Sequence, residues 1–241
     1  MKTGSFRERS ALLDREMEYR IYGGGGKLCV AFPSQGGRYY DFENFGMVDS
    51  LRPWLEGGRL TLLCPDGVDR ETWSNYQGDP RARIELQERW FRYITEELLP
   101  RVGPQEGKAI VTGCSMGGFH AGNFFFRRPD LFDTVIALSG LFHADYFFHD
   151  YMDDLVYANS PLHFLRDLPE ERLAPYRAGR IILCVGQGAW EGDLLDSTRR
   201  MDALLREREI PAWVDYWGFD VSHDWCWWQK QLPYFMGTVL P

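Results

Sequence analysis

The stretch IVTGCSMGGFH, residues 110–120, is the part of the chain that decides its fold. An apolar run leads into Gly-x-Ser-x-Gly, which centres on Ser115, and small residues that can begin a helix follow. A strand, a sharp turn and a helix form a nucleophile elbow, in which the glycines allow the turn and the serine hydroxyl stands clear of the backbone. Ser115 is therefore predicted as a nucleophile. The alternatives are an ordinary tight turn and attack by Cys114, which an elbow turns away from the site.

Short β-rich runs recur on both sides of this elbow. They are KLCVAFP (27–33), RLTLLC (59–64), KAIVTG (108–113), TVIALSG (134–140), RIILCVG (180–186) and AWVDYWG (212–218). Most are continuously apolar, which is typical of strands buried on both faces of a parallel sheet. Helical patterns lie between them at 81–102, where Pro100 should end the helix, at 194–209, and at 224–236, which Pro233 should interrupt. This alternation predicts an α/β fold with a doubly wound, mostly parallel sheet and helices on both faces.

Two segments depart from the alternation of strands and helices. EMEYRIYGGGGK (16–27) alternates apolar and polar residues and then turns at four glycines, which predicts a leading antiparallel hairpin. Residues 141–178 are rich in aromatic and acidic side chains. We expect them to form a small insertion, or cap, over the carboxyl edge of the sheet, with a plain connecting helix as the alternative. The chain lacks repeats and is expected to be one domain, residues 1–241.

The composition argues against several classes of partner. The net charge of −8 and the pI near 5.2 disfavour nucleic acid and anionic membranes. The amino-terminal segment is charged, and no apolar run approaches the roughly 20 residues that cross a bilayer, so a soluble, cytoplasmic protein without a signal peptide is expected. The 5 cysteines lack Cys-x-x-Cys spacing, which predicts reduced thiols, and neither a metal nor a cofactor is expected.

The base that a serine nucleophile needs is expected after the last strand in a fold with this elbow. His223, in AWVDYWGFDVSHDWCWW (212–228), is at that place, ahead of a tryptophan-rich helix. The other histidines fall on the elbow helix or in the expected insertion: His120, His143, His149 and His163. His223 is therefore predicted as the general base, and a structural histidine is the alternative.

The acid is expected in the loop after RIILCVG, which is QGAWEGDLLD (187–196). This loop offers Glu191, Asp193 and Asp196. Glu191 is favoured because it lies at the loop tip, from which a carboxylate can reach Nδ1 of His223. Asp193 is the second choice and is also well placed as the N-cap of the next helix, and Asp196 is expected within that helix.

Two backbone amides are expected to bind the oxyanion of an acyl-transfer reaction. One is the N–H of Met116, the residue directly after the nucleophile. The second should come from the loop after an early strand, and SQGGRYY (34–40) follows KLCVAFP. We select the amide of Gln35, and an ordinary Gly-Gly turn is the alternative.

The chain also resembles a known family of esterases. In order along the chain, the resemblance is carried by FPSQGGRYYDFENFGMVDSL, CPDGVDRETW, TGCSMGGFHAGNF, LSGLF, VGQGAWE and DYWGFDVSHDWCWW. It covers nearly the whole chain. The family is related to esterase D (S-formylglutathione hydrolase), the mycolyltransferases and the feruloyl-type carbohydrate esterases. The resemblance implies an α/β-hydrolase fold, with Ser115 as nucleophile, His223 as base and an acid after VGQG.

The resemblance has implications for the remaining site residues and for the substrate. In esterase D the acid comes shortly after a Gln-Gly pair, and the similar pair Gln187-Gly188 puts Glu191 closest to that place. The family's oxyanion residues fall on Met116 and Gln35. The chain lacks the Ser-Gly-Leu-Thr stretch of esterase D, which argues against formylglutathione as substrate, and the lack of an export signal argues against cell-wall mycolyl transfer.

These features predict a serine hydrolase that cleaves a small-molecule or carbohydrate ester with a Ser-His-acid triad and a backbone oxyanion hole. An acyltransferase with the same triad is one alternative. The other is a non-catalytic protein of the same fold that binds a ligand on aromatic side chains. The aromatic residues considered for that role are Tyr39, Tyr40, Trp73, Tyr76, Trp225, Trp227 and Trp228. Most of them are expected in the core instead.

Overall fold

A computed structural model describes residues 2–103 and 107–241. Its centre is an eight-stranded sheet with the strand order β1-β2-β4-β3-β5-β6-β7-β8. The strands are β1 (Thr3–Ser10), β2 (Arg15–Gly23), β3 (Lys27–Phe32), β4 (Leu60–Pro65), β5 (Ala109–Cys114), β6 (Phe132–Leu138), β7 (Arg180–Val185) and β8 (Trp213–Tyr216). Neighbours are parallel from β4 to β8, and β2 is antiparallel to both β1 and β4. The predicted mostly parallel sheet is confirmed, and each of the six predicted strands lies within two residues of its expected bounds.

The leading hairpin differs from the prediction in the position of its turn. Its strands are β1 and β2, and the turn between them is at residues 11–14 rather than at the four glycines. The glycines instead connect β2 to β3, and β4 lies between these two strands. Gly23 and Gly26 have φ values of 87° and 71°, which glycine adopts without strain. The sequence of β1, TGSFRERS, is mostly exposed, so it lacks the apolar alternation that would have indicated a strand.

Helices cover both faces of the sheet. They are α1 (Asp41–Asn44), α2 (Met47–Ser50), α3 (Arg52–Glu56), α4 (Pro80–Arg92), α5 (Leu99–Val102), α6 (Met116–Arg127), α7 (Asp154–Ala158), α8 (Pro161–Asp167), α9 (Ala174–Ala178), α10 (Gly192–Glu207) and α11 (Trp225–Val239). A π-helical stretch, Tyr93–Leu98, joins α4 to α5, and short 3-10 helices lie at Ala144–Phe147 and Glu170–Arg172. Within the described ranges, no helix combines the length and apolar character that crossing a bilayer requires.

Two expectations about helix ends were wrong, and both concerned proline. Pro100 does not end its helix: it follows directly on the π-helical stretch Tyr93–Leu98, which departs from the regular i→i−4 ladder that a proline would break, and helical residues continue to Val102. Pro233 does not interrupt α11, which continues to Val239. The apolar face of α11 is buried against the sheet on both sides of that proline, as the burial of Leu232 and Phe235 shows, and this packing holds the helix together.

The core has a layer on each face of the sheet, and the predicted site lies at the carboxyl edge between them. On one face, side chains of α4, α6 and α10 pack against β3, β5 and β7, with Trp90 and Phe124 fully buried. On the other face, α1 to α3 and α11 pack against the opposite sides of the same strands. Parallel strands have their carboxyl ends at one edge, so the loops after β3, β5, β6, β7 and β8 lie close together there.

Candidate active site

Ser115 is the only residue between β5 and α6, and its backbone is strained. Its φ of 59° and ψ of −121° lie in a region that residues other than glycine seldom adopt. The flanking glycines are required by close backbone contacts. A Cβ atom on Gly113 would lie 2.3 Å from the carbonyl carbon of Gly117, and one on Gly117 would lie 2.4 Å from the carbonyl oxygen of Phe32. The elbow therefore has the geometry that the Gly-x-Ser-x-Gly pattern predicts.

The imidazole of His223 lies between the side chains of Ser115 and Glu191. Its Nε2 is 2.8 Å from Oγ of Ser115, and its Nδ1 is 3.2 Å from Oε2 of Glu191. The backbone N–H of His223 donates to the carbonyl oxygen of Ala189 at 3.0 Å, which ties the histidine loop to the loop after β7. The structure thus brings together the three side chains that the sequence indicated, although they are separated by up to 108 residues.

The second oxygen of Glu191 has a partner that the sequence analysis missed. Oγ of Ser139 donates to Oε1 of Glu191 at 2.7 Å, and Nε1 of Trp228 donates to Oγ of Ser139 at 3.2 Å. The ring of Trp228 also meets the imidazole of His223 edge-on, at 4.8 Å between centroids. Glu191 is only 1% exposed, so these donors replace the water that would otherwise solvate its carboxylate. The sequence signals were the place of Ser139 directly after β6 and its presence in LSGLF, one of the stretches that carry the family resemblance.

The other two candidate acids are placed differently. Asp193 lies in the first turn of α10, one residue inside the helix rather than at its N-cap, and it accepts a hydrogen bond from the hydroxyl of Tyr146 at 2.9 Å. Asp196 lies within α10 as expected and is 3.6 Å from the guanidinium of Arg199. Among these three acids, Glu191 alone contacts His223.

The other histidines and Cys114 are held away from the site. His120 is fully buried, with Nε2 2.9 Å from a carboxylate oxygen of Asp69. His143 and His163 face Asp145, and His149 is on the surface. The side chain of Cys114 is also fully buried, and burial raises the pKa of its thiol well above the ordinary value, so the reactive thiolate is disfavoured.

The two predicted oxyanion amides lie beside the elbow. Met116 is the first residue of α6, so its N–H has no acceptor within the helix, and Gln35 follows the carboxyl end of β3. Two hydrogen bonds hold the loop of Gln35 in place. Oγ of Ser34 donates to the carbonyl oxygen of Cys114 at 3.0 Å, and Nε2 of Gln35 donates to Oγ of Ser74 at 2.9 Å. Gln35, Met116 and the nucleophile candidate line the same cavity.

This cavity has a volume of about 440 Å³. Its lining residues are Gln35, Tyr76, Ser115, Met116, Phe119, Leu141, Tyr146, Phe147, Trp190, Gly192, Asp193, Leu194 and His223. Eight of these 13 residues are apolar or aromatic, and Leu141, Tyr146 and Phe147 come from the segment 141–178. In the part of the chain that the structure describes, no group of three or more His, Cys, Asp or Glu side chains is arranged to hold a metal ion.

A family model described as "Putative esterase" matches residues 11–238 of the chain. The chain belongs to this esterase family. No curated protein matches it. The esterase is, however, similar in structure to several solved proteins. A ferulic acid esterase has a TM-score of 0.79 at 19% identity, with 99% of this chain and 98% of that chain covered.

Two further structures extend the comparison. The esterase resembles an S-formylglutathione hydrolase from Agrobacterium tumefaciens, with a TM-score of 0.76, 15% identity, and 98% and 93% of the two chains covered. It resembles the MPT51 protein of Mycobacterium tuberculosis with a TM-score of 0.74, 14% identity, and 100% and 98% covered. At such low identity these likenesses show the fold, which is that of the α/β-hydrolases. The family resemblance and the fold inferred from the sequence are confirmed.

Proposed function

We propose that this esterase is a serine hydrolase in which Ser115 is the nucleophile, His223 the general base and Glu191 the acid that orients the base. The observation that carries the proposal is the continuous contact from Oγ of Ser115 through the imidazole to the carboxylate, at 2.8 and 3.2 Å, at a strained elbow. Nucleophile, base and orienting group in mutual hydrogen-bond reach are the recognised basis of this chemistry.

In the proposed reaction, Oγ of Ser115 attacks the ester carbonyl carbon, and its proton passes to Nε2 of His223. The carbonyl oxygen becomes an oxyanion, to which the amides of Met116 and Gln35 donate hydrogen bonds. The tetrahedral intermediate then collapses, the bond to the alcohol breaks, and His223 gives its proton to the departing alcohol oxygen. Water, deprotonated by His223, attacks the acyl-enzyme in the same way and releases the acid.

Glu191 supports this cycle through its charge and its position. Its carboxylate accepts a hydrogen bond from Nδ1–H of His223, so Nε2 is left free to accept the serine proton. The same carboxylate stabilises the imidazolium that forms during attack. Because Glu191 is buried and bonded to Ser139, it is held at a fixed position relative to His223.

We further propose that the chain is one α/β-hydrolase domain in which residues 141–178 act as a small cap. Support comes from Leu141 and Phe147, which lie in this segment and line the cavity beside Ser115. Together with Phe119 and Leu194 they give the cavity a wall of apolar side chains, which suits the acyl group of an ester.

The test is labelling with a fluorophosphonate, peptide mapping of the label, and hydrolysis of short-chain p-nitrophenyl esters. We expect the label on Ser115, and we expect Ser115→Ala to lose both label and turnover while it unfolds at the wild-type temperature. Cys114→Ala is the matched control, since it changes the neighbouring side chain and should keep label and turnover. A folded wild type without label, or turnover that survives in Ser115→Ala, would refute the assignment. Product analysis with an added alcohol would separate acyl transfer from hydrolysis.

A further inference from the structure

Three exposed aromatic side chains surround the mouth of the active-site cavity. Tyr76, Tyr146 and Trp190 line it and are 48%, 41% and 87% exposed. They come from three separate segments: the loop before α4, the 3-10 helix of the segment 141–178, and the loop after β7. Only nine large hydrophobic residues are exposed among the described residues, and three of these nine line this one cavity. Such a concentration is typical of a surface that binds a ligand.

Trp190 is the most unusual of the three. Its indole lies almost wholly in solvent, although a tryptophan gains more from burial than nearly any other side chain. Its φ of 67° is also strained for a bulky residue. A costly conformation that holds an aromatic ring at the mouth of a reactive site indicates a role in binding.

The position of Trp190 indicates which part of the substrate it meets, given the proposed function. In that reaction His223 returns a proton to the alcohol oxygen, so the alcohol part of the ester lies on the histidine side of the cavity. Trp190 lies on that side, because it follows Ala189, whose carbonyl oxygen accepts the backbone N–H of His223 at 3.0 Å. The acyl part would then contact the buried side chains of Phe119 and Phe147, which also line the cavity.

The charge of the cavity restricts the alcohol further. Among its described lining residues there is no Lys or Arg, whereas Asp193 is at the mouth and the buried carboxyl of Glu191 lies behind His223. The whole chain carries a net charge of −8. An alcohol or thiol that bears carboxylate or phosphate groups would therefore be repelled, and no Lys or Arg among the described lining residues offers it a partner.

We propose that the enzyme takes esters of uncharged alcohols that carry a ring, and that Trp190 binds this ring by stacking. An aromatic ring and the C–H face of a sugar share the chemistry that an indole recognises, a flat and uncharged apolar surface. Trp190 is thus the specificity residue for the alcohol, and the proposal rests on the reaction proposed above.

The first experiment measures kcat/KM for benzyl acetate, a methyl glucoside acetylated at O6, and ethyl acetate. We expect Trp190→Ala to lower the ratio of a ring-bearing ester to ethyl acetate about tenfold, and Trp190→Phe to restore most of it. The benzyl and glucoside ratios report separately whether the ring is aromatic or a sugar. Phe219→Ala is the matched control, because Phe219 is 82% exposed but does not line the cavity, and it should leave both ratios unchanged.

The second experiment compares 4-acetoxybenzoate with the neutral 4-acetoxybenzamide. We expect kcat/KM of the wild type to be about fivefold higher for the amide than for the carboxylate. Added salt should reduce this ratio, and so should Asp193→Asn. Equal rates on the two esters, or a benzyl-to-ethyl ratio unchanged in Trp190→Ala, would overturn the inference and leave the serine hydrolase intact. A folded wild type that is not labelled at Ser115 would instead refute the proposed function, and the inference with it.

Discussion

Two histidine–carboxylate pairs lie near the same elbow, and only one of them contacts the serine. His223 is 3.2 Å from Glu191, and His120, in the second turn of α6, is 2.9 Å from Asp69. Both carboxyl side chains are buried, with 1% and 2% exposure. The pairs are therefore alike in residue chemistry, distance and the burial of the acid.

They differ in what surrounds the imidazole. The His223 ring opens to the cavity, and each of its nitrogens has a polar partner. The His120 ring is packed against Phe32 and Trp90, and its Nδ1 has no partner among the described residues. A buried acid thus accompanies both an imidazole that faces an open cavity and one that is enclosed in the core, and we expect only the first to be reactive. What distinguishes them is whether the far nitrogen reaches a nucleophile in an open cavity.

The largest expected effect tests the first pair. His223→Ala should lower kcat about 10⁴- to 10⁶-fold, because in the proposed reaction it removes the group that accepts and returns the proton. Steady-state kinetics on a p-nitrophenyl ester would measure it, with the melting temperature as evidence of folding. His120→Ala is the matched comparison and should keep kcat per labelled active site within about tenfold. Equal losses of kcat in His223→Ala and His120→Ala would contradict a special role of His223 in turnover.

The second expected effect is on stability and concerns the pair of His120 and Asp69. His120→Ala should lower the free energy of unfolding by about 3–5 kcal/mol, because it leaves the carboxyl of Asp69 buried without its partner. Denaturant titration would measure the change. A cycle with Asp69→Ala and the double variant should show coupling, so that the double variant loses less than the sum of the singles. A His120→Ala protein as stable as the wild type would contradict a structural role.

The sequence predicted those features that short stretches encode. Continuous apolar runs indicated most of the six parallel strands. The Gly-x-Ser-x-Gly pattern indicated the elbow, because the residues that this turn requires are next to one another in the chain. His223 and Glu191 were selected because their loops follow identifiable strands at the carboxyl edge, and the structure places their side chains in contact.

Features that depend on contacts between distant segments were missed. Ser139 meets Glu191 and Trp228 across 52 and 89 residues, and no local pattern marks such contacts. The hairpin partner of β2 was predicted to follow the four glycines, whereas it is β1, which precedes β2. β1 is too exposed to show an apolar pattern. Pro100 and Pro233 were overrated as helix breakers. The π-helical stretch before Pro100 departs from the regular ladder, and the tertiary packing of α11 outweighs the cost of the missing N–H at Pro233.

The smallest expected effect concerns Ser139, the hydrogen-bond partner of Glu191 in the first pair. Ser139→Ala should lower kcat about 10- to 100-fold, since it removes a hydrogen bond to a charged group worth about 1.5–3 kcal/mol. Because Ser139 contacts Glu191 and is not among the residues that line the cavity, KM should change little. Trp228→Phe keeps the ring against His223 but removes the donor to Ser139, and a smaller loss is expected. A change confined to KM would exclude this positioning role.

Under the proposed function, the strained backbone of Ser115 places catalysis and stability in opposition at a single residue. A φ of 59° costs a serine of order 1–3 kcal/mol, whereas glycine would adopt it freely and lose about 0.5–1 kcal/mol through its more flexible unfolded chain. Selection for thermal stability alone would therefore replace the serine with glycine. If Ser115 is the proposed nucleophile, the hydroxyl at this position is a trade-off in which the molecule accepts a weaker fold for a reactive group held away from its own backbone.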